Sequence, residues 1–75
     1  MAHSLMDIER RIEKAVAEVM YEPADTITAK KLRFMVDADK VIMESNSKMV
    51  FVFGAVEYVC DIKIGHYKAV QFNKH

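Results

Sequence analysis

The strongest strand pattern in the sequence is Met49-Val-Phe-Val-Phe53, in which β-branched and aromatic residues follow one another without a polar break. Such residues are enriched in strands, so the pattern predicts a β-strand over residues 49–53. Successive side chains of a strand point to opposite faces of the sheet, so Met49, Phe51 and Phe53 share one face, while Val50 and Val52 share the other. Both faces are therefore apolar, whereas a sheet with one solvated face alternates apolar and polar residues.

The segments on either side of this strand predict antiparallel neighbours. Upstream, a short strand over residues 41–44 is followed by the turn-type sequence of residues 45–48, Ser-Asn-Ser-Lys. Downstream, Gly54 marks a bend, and apolar residues then alternate with Glu, Asp and Lys over residues 56–64. Gly65 and His66 form a further turn, before a last strand over residues 67–72. Connections this short join antiparallel strands, which predicts a β-meander.

Residues 24–37 fit two structures. Asp25 and Thr26 are suited to cap a helix that would continue through Met35. Against this, apolar Leu32, Phe34 and Val36 alternate with Arg33 and Asp37, which is the pattern of a strand. We expect the strand, so that the sheet spans about residues 31–72 and contains four to five strands; the helix is the alternative.

An amphipathic helix is predicted at about residues 5–21. Ser4 stands three residues before Asp7, which is an aspartate version of the capping box. Pro23 ends the helix. The apolar residues recur at steps of three and four, as expected for one buried helix face: Leu5, Ile8, Ile12, Ala15 and Val19. Residues 1–75 are thus expected to form a single α+β domain, with one N-terminal amphipathic helix packed on an antiparallel β-meander of four to five strands.

Composition narrows the class of protein. The chain has 75 residues, a formal net charge of zero and a single cysteine, Cys60, so no internal disulfide can form. Cys60 lies in a strand-like run and is expected to be a buried hydrophobe in a reducing compartment. No apolar run approaches the roughly 20 residues that span a bilayer. These features predict a soluble cytoplasmic protein that does not contact membranes.

The sequence lacks the residue patterns of catalytic and cofactor sites. The histidines, His3, His66 and His75, do not have metal-ligand spacing and lack a cysteine partner. Two glycines cannot build a phosphate-binding loop. The carboxylates of Asp37 and Asp39 provide fewer oxygens than a calcium loop needs. We therefore expect no enzyme activity, no metal, no cofactor and no small-molecule substrate.

The two apolar faces of the central strand favour docking to a macromolecule. One helix covers only one face of a sheet, so the other face requires a covering of its own. We expect Met49, Phe51 and Phe53, together with Met35, to form an interface with a second copy of the chain or with another protein. Six methionines suit a pliable contact surface. The expected function is a non-catalytic, homo-oligomeric binding or regulatory module; an accessory or phage-type regulator of a host protein fits this description.

The alternative function is a regulator that binds nucleic acid. Basic residues outnumber acidic ones by eight to five in residues 26–75, while residues 1–25 contain three basic and six acidic residues. On the sheet, Lys30, Lys31, Arg33 and Lys48 would provide phosphate contacts without base readout. Catalysis ranks third.

Overall fold

The computed structural model describes residues 4–71 and contains two α-helices and four strands. A short 3-10 turn, Ala24–Thr26, lies between the helices. In chain order the elements are α1 (Leu5–Val19), α2 (Ala29–Val36), β1 (Lys40–Met43), β2 (Lys48–Phe53), β3 (Val56–Asp61) and β4 (His66–Gln71). The predicted α+β class and antiparallel meander are confirmed, and the four strands lie within the predicted four to five; α2 is an additional helix.

The four strands form one antiparallel sheet in the order β1-β2-β3-β4, as a meander should. Across the sheet, Val50 is paired with Ile42 on one side and with Val59 on the other, and Val59 is paired with Lys68. Two residues connect β2 to β3, and the first of them, Gly54, has φ +61°. Glycine at this position is typical of a type II′ hairpin, whose twist matches that of the strands.

Helix α1 begins as the sequence predicts. The Ser4 hydroxyl accepts a hydrogen bond from the backbone N–H of Asp7 at 3.2 Å, which satisfies one of the unpaired donors at the helix start. The helix ends at Val19, two residues before the predicted end, and the chain reaches Pro23 through a turn. The buried residues of α1 are Ile8, Ile12, Ala15, Val16 and Val19.

The predicted strand over residues 32–36 is wrong, because this segment forms helix α2. The Thr28 hydroxyl caps it by accepting from the backbone N–H of Lys31 at 3.1 Å. Leu32 and Val36 are fully buried and lie four residues apart, a spacing that fits a helix face and a strand face equally well. Phe34 distinguishes the two structures: a strand would bury it beside them, whereas the helix leaves it 87% exposed.

Helix α2 ends at Asp37, whose left-handed backbone has φ 57°. The backbone N–H of Ala38 then donates to the Arg33 carbonyl at 3.2 Å, which satisfies one of the terminal carbonyls of the helix. Ala38 is buried, and β1 begins two residues later. Residues 37–40 therefore connect the end of a helix to β1 rather than joining two strands of a hairpin.

Both helices lie on the same face of the sheet. From α1, the Arg11 Nε donates to the Val36 carbonyl of α2 at 2.7 Å, and the guanidinium carbon lies 5.9 Å from the ring centroid of Phe53. The Tyr58 hydroxyl donates to Glu9 Oε2 at 2.9 Å, which joins β3 to α1. The core therefore lies between one sheet face and a layer of two helices.

Across residues 4–71, neither helix combines the length and the apolar character that a membrane span requires.

Candidate docking surfaces

The interface predicted at Met49, Phe51 and Phe53 is wrong, because these side chains form the core. Their exposed fractions are 0%, 0% and 3%. Met35 is half-buried and packs against the same cluster from α2. The sequence pattern fixes which residues share a face, and the larger aromatic side chains fill the space beneath the helices. The uncovered face of β2 is consequently the one that bears the valines.

That uncovered surface, called here the open sheet face, has an apolar centre. The exposed fractions of Ile42, Val59 and Val70 are 42%, 39% and 41%. Val50 is 8% exposed yet lies outside the core cluster, so it is shielded by its neighbours within the sheet. Val52 is half-buried on the same face. Residues 24–30 do not cover this face, since Ile27 in that connector belongs to the core on the helix side.

The register places charged residues of both signs around this apolar centre. In one row across the sheet, Lys40 is paired with Val52, which is paired with Glu57. In another row, Lys48 is paired with Asp61. Since strand residues two apart share a face, all four charged residues lie on the open sheet face, with Glu57 between Val52 and Val70; Lys68, paired with Val59, lies there too. This mixture of signs gives the face no strong charge of its own.

The four residues predicted to contact nucleic acid do not lie together. Lys30, Lys31 and Arg33 are exposed on α2, where they line a surface groove of about 590 Å³. Phe34 lines the same groove, called here the α2 groove. Lys48 is not among its lining residues and lies instead on β2. The prediction that these cations sit on the sheet is therefore wrong for the three that α2 carries.

Two of the cations in the α2 groove also make bonds within the chain. The Lys31 Nζ lies 2.8 Å from Glu22 Oε1, which ties α2 to the connector before it. The Arg33 Nε donates to the Asp39 carbonyl at 3.2 Å. Both side chains are exposed, and such surface contacts are typically worth less than about 1 kcal/mol, so they compete only weakly with a bound anion.

The buried titratable side chains are held in their neutral forms. Burial, together with the hydrogen bond to Glu9, raises the pKa of Tyr58 to about 12. Burial, with a smaller contribution from the charge of Asp61, raises the pKa of Cys60 to about 11. A thiol with so high a pKa is a poor nucleophile, because the reactive species is the thiolate. Cys60 is fully buried, as the sequence predicts.

The acidic residues of the turns have structural partners. Asp39 Oδ2 accepts a hydrogen bond from the backbone N–H of Gly54 at 2.7 Å, so this carboxylate joins the start of β1 to the β2–β3 hairpin. Over residues 4–71, His, Cys, Asp and Glu side chains do not form any group of three that would hold a metal ion.

Phe34 is the surface residue that the sequence interpretation missed, because the strand assignment placed it in the core. Read at the helical period, Phe34 lies away from the stripe formed by Leu32 and Val36, which would have predicted its exposure.

No protein-family model, curated protein or solved structure matches this chain.

Proposed function

We propose that this chain is a non-catalytic binding module that associates with a second copy of itself through the open sheet face. The observation that carries the proposal is a group of apolar side chains on the sheet face that lies opposite both helices: Ile42, Val50, Val52, Val59 and Val70. An uncovered group of apolar side chains on a small domain is a candidate interaction site, because the largest apolar patch of a monomer is often functional. The buried, unpaired Cys60 is compatible with a reducing compartment, so the proposed location is the cytoplasm.

The charges around the apolar centre support a second copy as the occupant. A two-fold axis parallel to the strands and midway between β2 and β3 places each β2 opposite the β3 of the other copy. Val50 then faces Val59, and Lys48 faces Asp61 of the second copy, so an apolar pair and a pair of opposite charges form twice. The same axis places Val52 opposite Glu57 and Ile42 opposite Lys68, and these mixed pairs weaken the association. The central pairs are self-complementary, as a two-fold interface requires.

The size of the face sets the strength of the association. Three strands of six residues and one of four, about 4.8 Å apart at about 3.3 Å per residue, cover roughly 350 Å² per copy. The two copies together would bury about 700 Å², which is below the usual 1,200–2,000 Å² of stable complexes. The proposed dimer is therefore weak and reversible, and its open sheet face is available to a regulatory partner when the copies separate.

Sedimentation velocity over a concentration series from about 10 μM to 1 mM tests this proposal. The test variant is Val59→Glu, which introduces a charge at the centre of the face. Glu at this position lies opposite Lys68 within the sheet, and an opposite-charge cross-strand pair favours the fold. The matched control is Ile64→Glu, since Ile64 is 71% exposed but lies in the β3–β4 turn.

The wild type and the Ile64→Glu variant should show a sedimentation coefficient that rises with concentration, whereas the Val59→Glu variant should remain monomeric. Circular dichroism should show that all three are folded. A wild-type protein that stays monomeric at 1 mM would refute self-association. Equal association of the two variants would show that copies meet through another surface.

A further inference from the structure

Phe34 projects from α2 between two grooves. It lines the α2 groove, with Lys30, Lys31 and Arg33, and also a second groove of about 330 Å³ toward α1. At 87% exposure, both faces of the ring are accessible to solvent. The ring makes little contribution to the core, so stability of the fold does not account for an aromatic residue here.

The charge around Phe34 is positive, although the whole chain is neutral. The side chains that line the two grooves include five basic and two acidic residues: Arg11, Lys14, Lys30, Lys31 and Arg33 against Glu18 and Asp37. Lys30 and Lys31 precede Phe34 by four and three residues, so they lie one helical turn away, at about 5–6 Å between Cβ atoms. The ring is therefore flanked by cations at short range.

We propose that this surface binds single-stranded nucleic acid, with a base stacked on Phe34 and neighbouring phosphates held by Lys30, Lys31 and Arg33. Stacking requires an open aromatic face, and every base offers a π-surface, so such binding is tolerant of sequence. The cations supply the phosphate contacts that dominate affinity. A duplex offers its bases only at the groove edges and at its ends, so a single strand fits the exposed ring better.

The surroundings of the ring argue against an ordinary apolar protein contact. Hot-spot aromatic residues of protein interfaces sit in desolvated pockets ringed by contacts that exclude water. Phe34 instead has lysine and arginine side chains around it and open grooves on both sides. This binding surface lies on the helix side of the molecule and is independent of the proposed dimer, because the open sheet face is on the opposite side.

Fluorescence anisotropy of a labelled oligothymidine, titrated with the full chain at several salt concentrations, tests the proposal. With three phosphate contacts, the logarithm of the binding constant should fall with the logarithm of salt at a slope of about −2. This slope corresponds to a loss of about twenty-fold between 50 and 200 mM salt. Lys30→Ala should reduce the slope by about 0.7, since one phosphate contact is lost.

Phe34→Ala should weaken binding by about five- to 140-fold, the range expected for the loss of one stacked base. The matched control is Tyr21→Ala, because Tyr21 is equally exposed at 87% but lines neither groove. The chain contains three tyrosines but no tryptophan, so Phe34→Trp introduces a single tryptophan. This variant should bind, and its tryptophan fluorescence should be quenched when a base stacks on the ring.

Three results would overturn the proposal. Equal affinities of the Phe34→Ala and Tyr21→Ala variants would show that the ring does not stack. If the oligothymidine does not bind at low salt, or if its affinity does not fall as salt is added, the ligand is not a nucleic acid. Polyglutamate that binds as tightly as the oligothymidine, with the same dependence on Phe34, would assign the surface to acidic proteins instead.

Discussion

Tyr58→Phe removes one hydroxyl from the centre of the molecule, and its effect on stability should depend on pH. In the wild type this hydroxyl donates to Glu9 Oε2 at 2.9 Å, while the ring is fully buried and meets Phe53 edge to face, with ring centroids 6.2 Å apart. Phenylalanine keeps the ring contacts. The variant therefore isolates the hydrogen bond that joins β3 to α1.

At pH 7 the free energy of unfolding should fall by about 1 kcal/mol. A neutral hydrogen bond contributes about 0.5–1.5 kcal/mol, and a charged acceptor such as Glu9 raises this value. Because Glu9 is exposed, its carboxylate regains water when the hydroxyl is removed, and the cost stays at the lower end. The measurement is the urea midpoint at constant m-value.

The difference between the wild type and the variant should shrink above pH 10. The folded state holds the pKa of Tyr58 at about 12, whereas the unfolded side chain ionises near pH 10. Between these values the native state binds more protons, so the stability contributed by Tyr58 is fully present below pH 10 and is lost as the pH rises toward 12. At pH 11 the wild type should have lost about 1 kcal/mol that the variant does not lose.

The matched control is Tyr21→Phe, which removes the same hydroxyl from a ring that is 87% exposed. This control should leave the urea midpoint unchanged at pH 7. A Tyr58→Phe variant as stable as Tyr21→Phe would show that the hydrogen bond to Glu9 does not stabilise the fold. A stability difference that stays constant from pH 7 to pH 11 would show that the pKa of Tyr58 is not raised by folding.

Three further predictions concern the core and the end of α2. Phe51→Ala should cost about 3–5 kcal/mol because Phe51 is fully buried, whereas Phe34→Ala should be nearly neutral; thermal unfolding measures both. Asp37→Gly should raise stability by about 0.5–1 kcal/mol, since glycine adopts the left-handed conformation at φ 57° without a Cβ penalty; equal stability of the two proteins would contradict this explanation. Cys60 should react with a thiol reagent at pH 8 only as fast as the protein opens, so mild urea should accelerate the reaction; rapid reaction in the absence of urea would contradict its burial.

The local signals of the sequence were sufficient for α1 and for most of the sheet. The Ser4 cap and the apolar stripe of α1 depend on residues only a few positions apart in the sequence. Both can therefore be predicted without knowledge of the fold. The strands from β1 to β4 can be predicted because the connections between them are short and rich in turn residues. Helix α2 was missed because Leu32 and Val36 satisfy both periods, and Phe34 completed a false strand pattern.

For the docking surface, the sequence predicts which residues share a sheet face but not which of the two faces is exposed. The sequence indicates correctly that β2 is apolar on both sides and that one helix layer covers only one of them. It does not specify which face is covered, because that depends on how the helices pack on the sheet. The sequence pattern alone therefore places Met49 and Phe51 on the uncovered face, whereas in the structure they are buried. The need for a partner then falls on the uncovered face, which bears the valines.

If two copies meet through the open sheet face, a dilution series of ¹H–¹⁵N correlation spectra should locate the contact. Between about 1 mM and 20 μM, the amide signals of Ile42, Val50, Val59 and Val70 should shift with concentration, while those of Phe34 and Tyr21 should not, because both lie away from that face. Spectra that do not change with dilution, or shifts confined to α2, would show that the copies do not associate through this face.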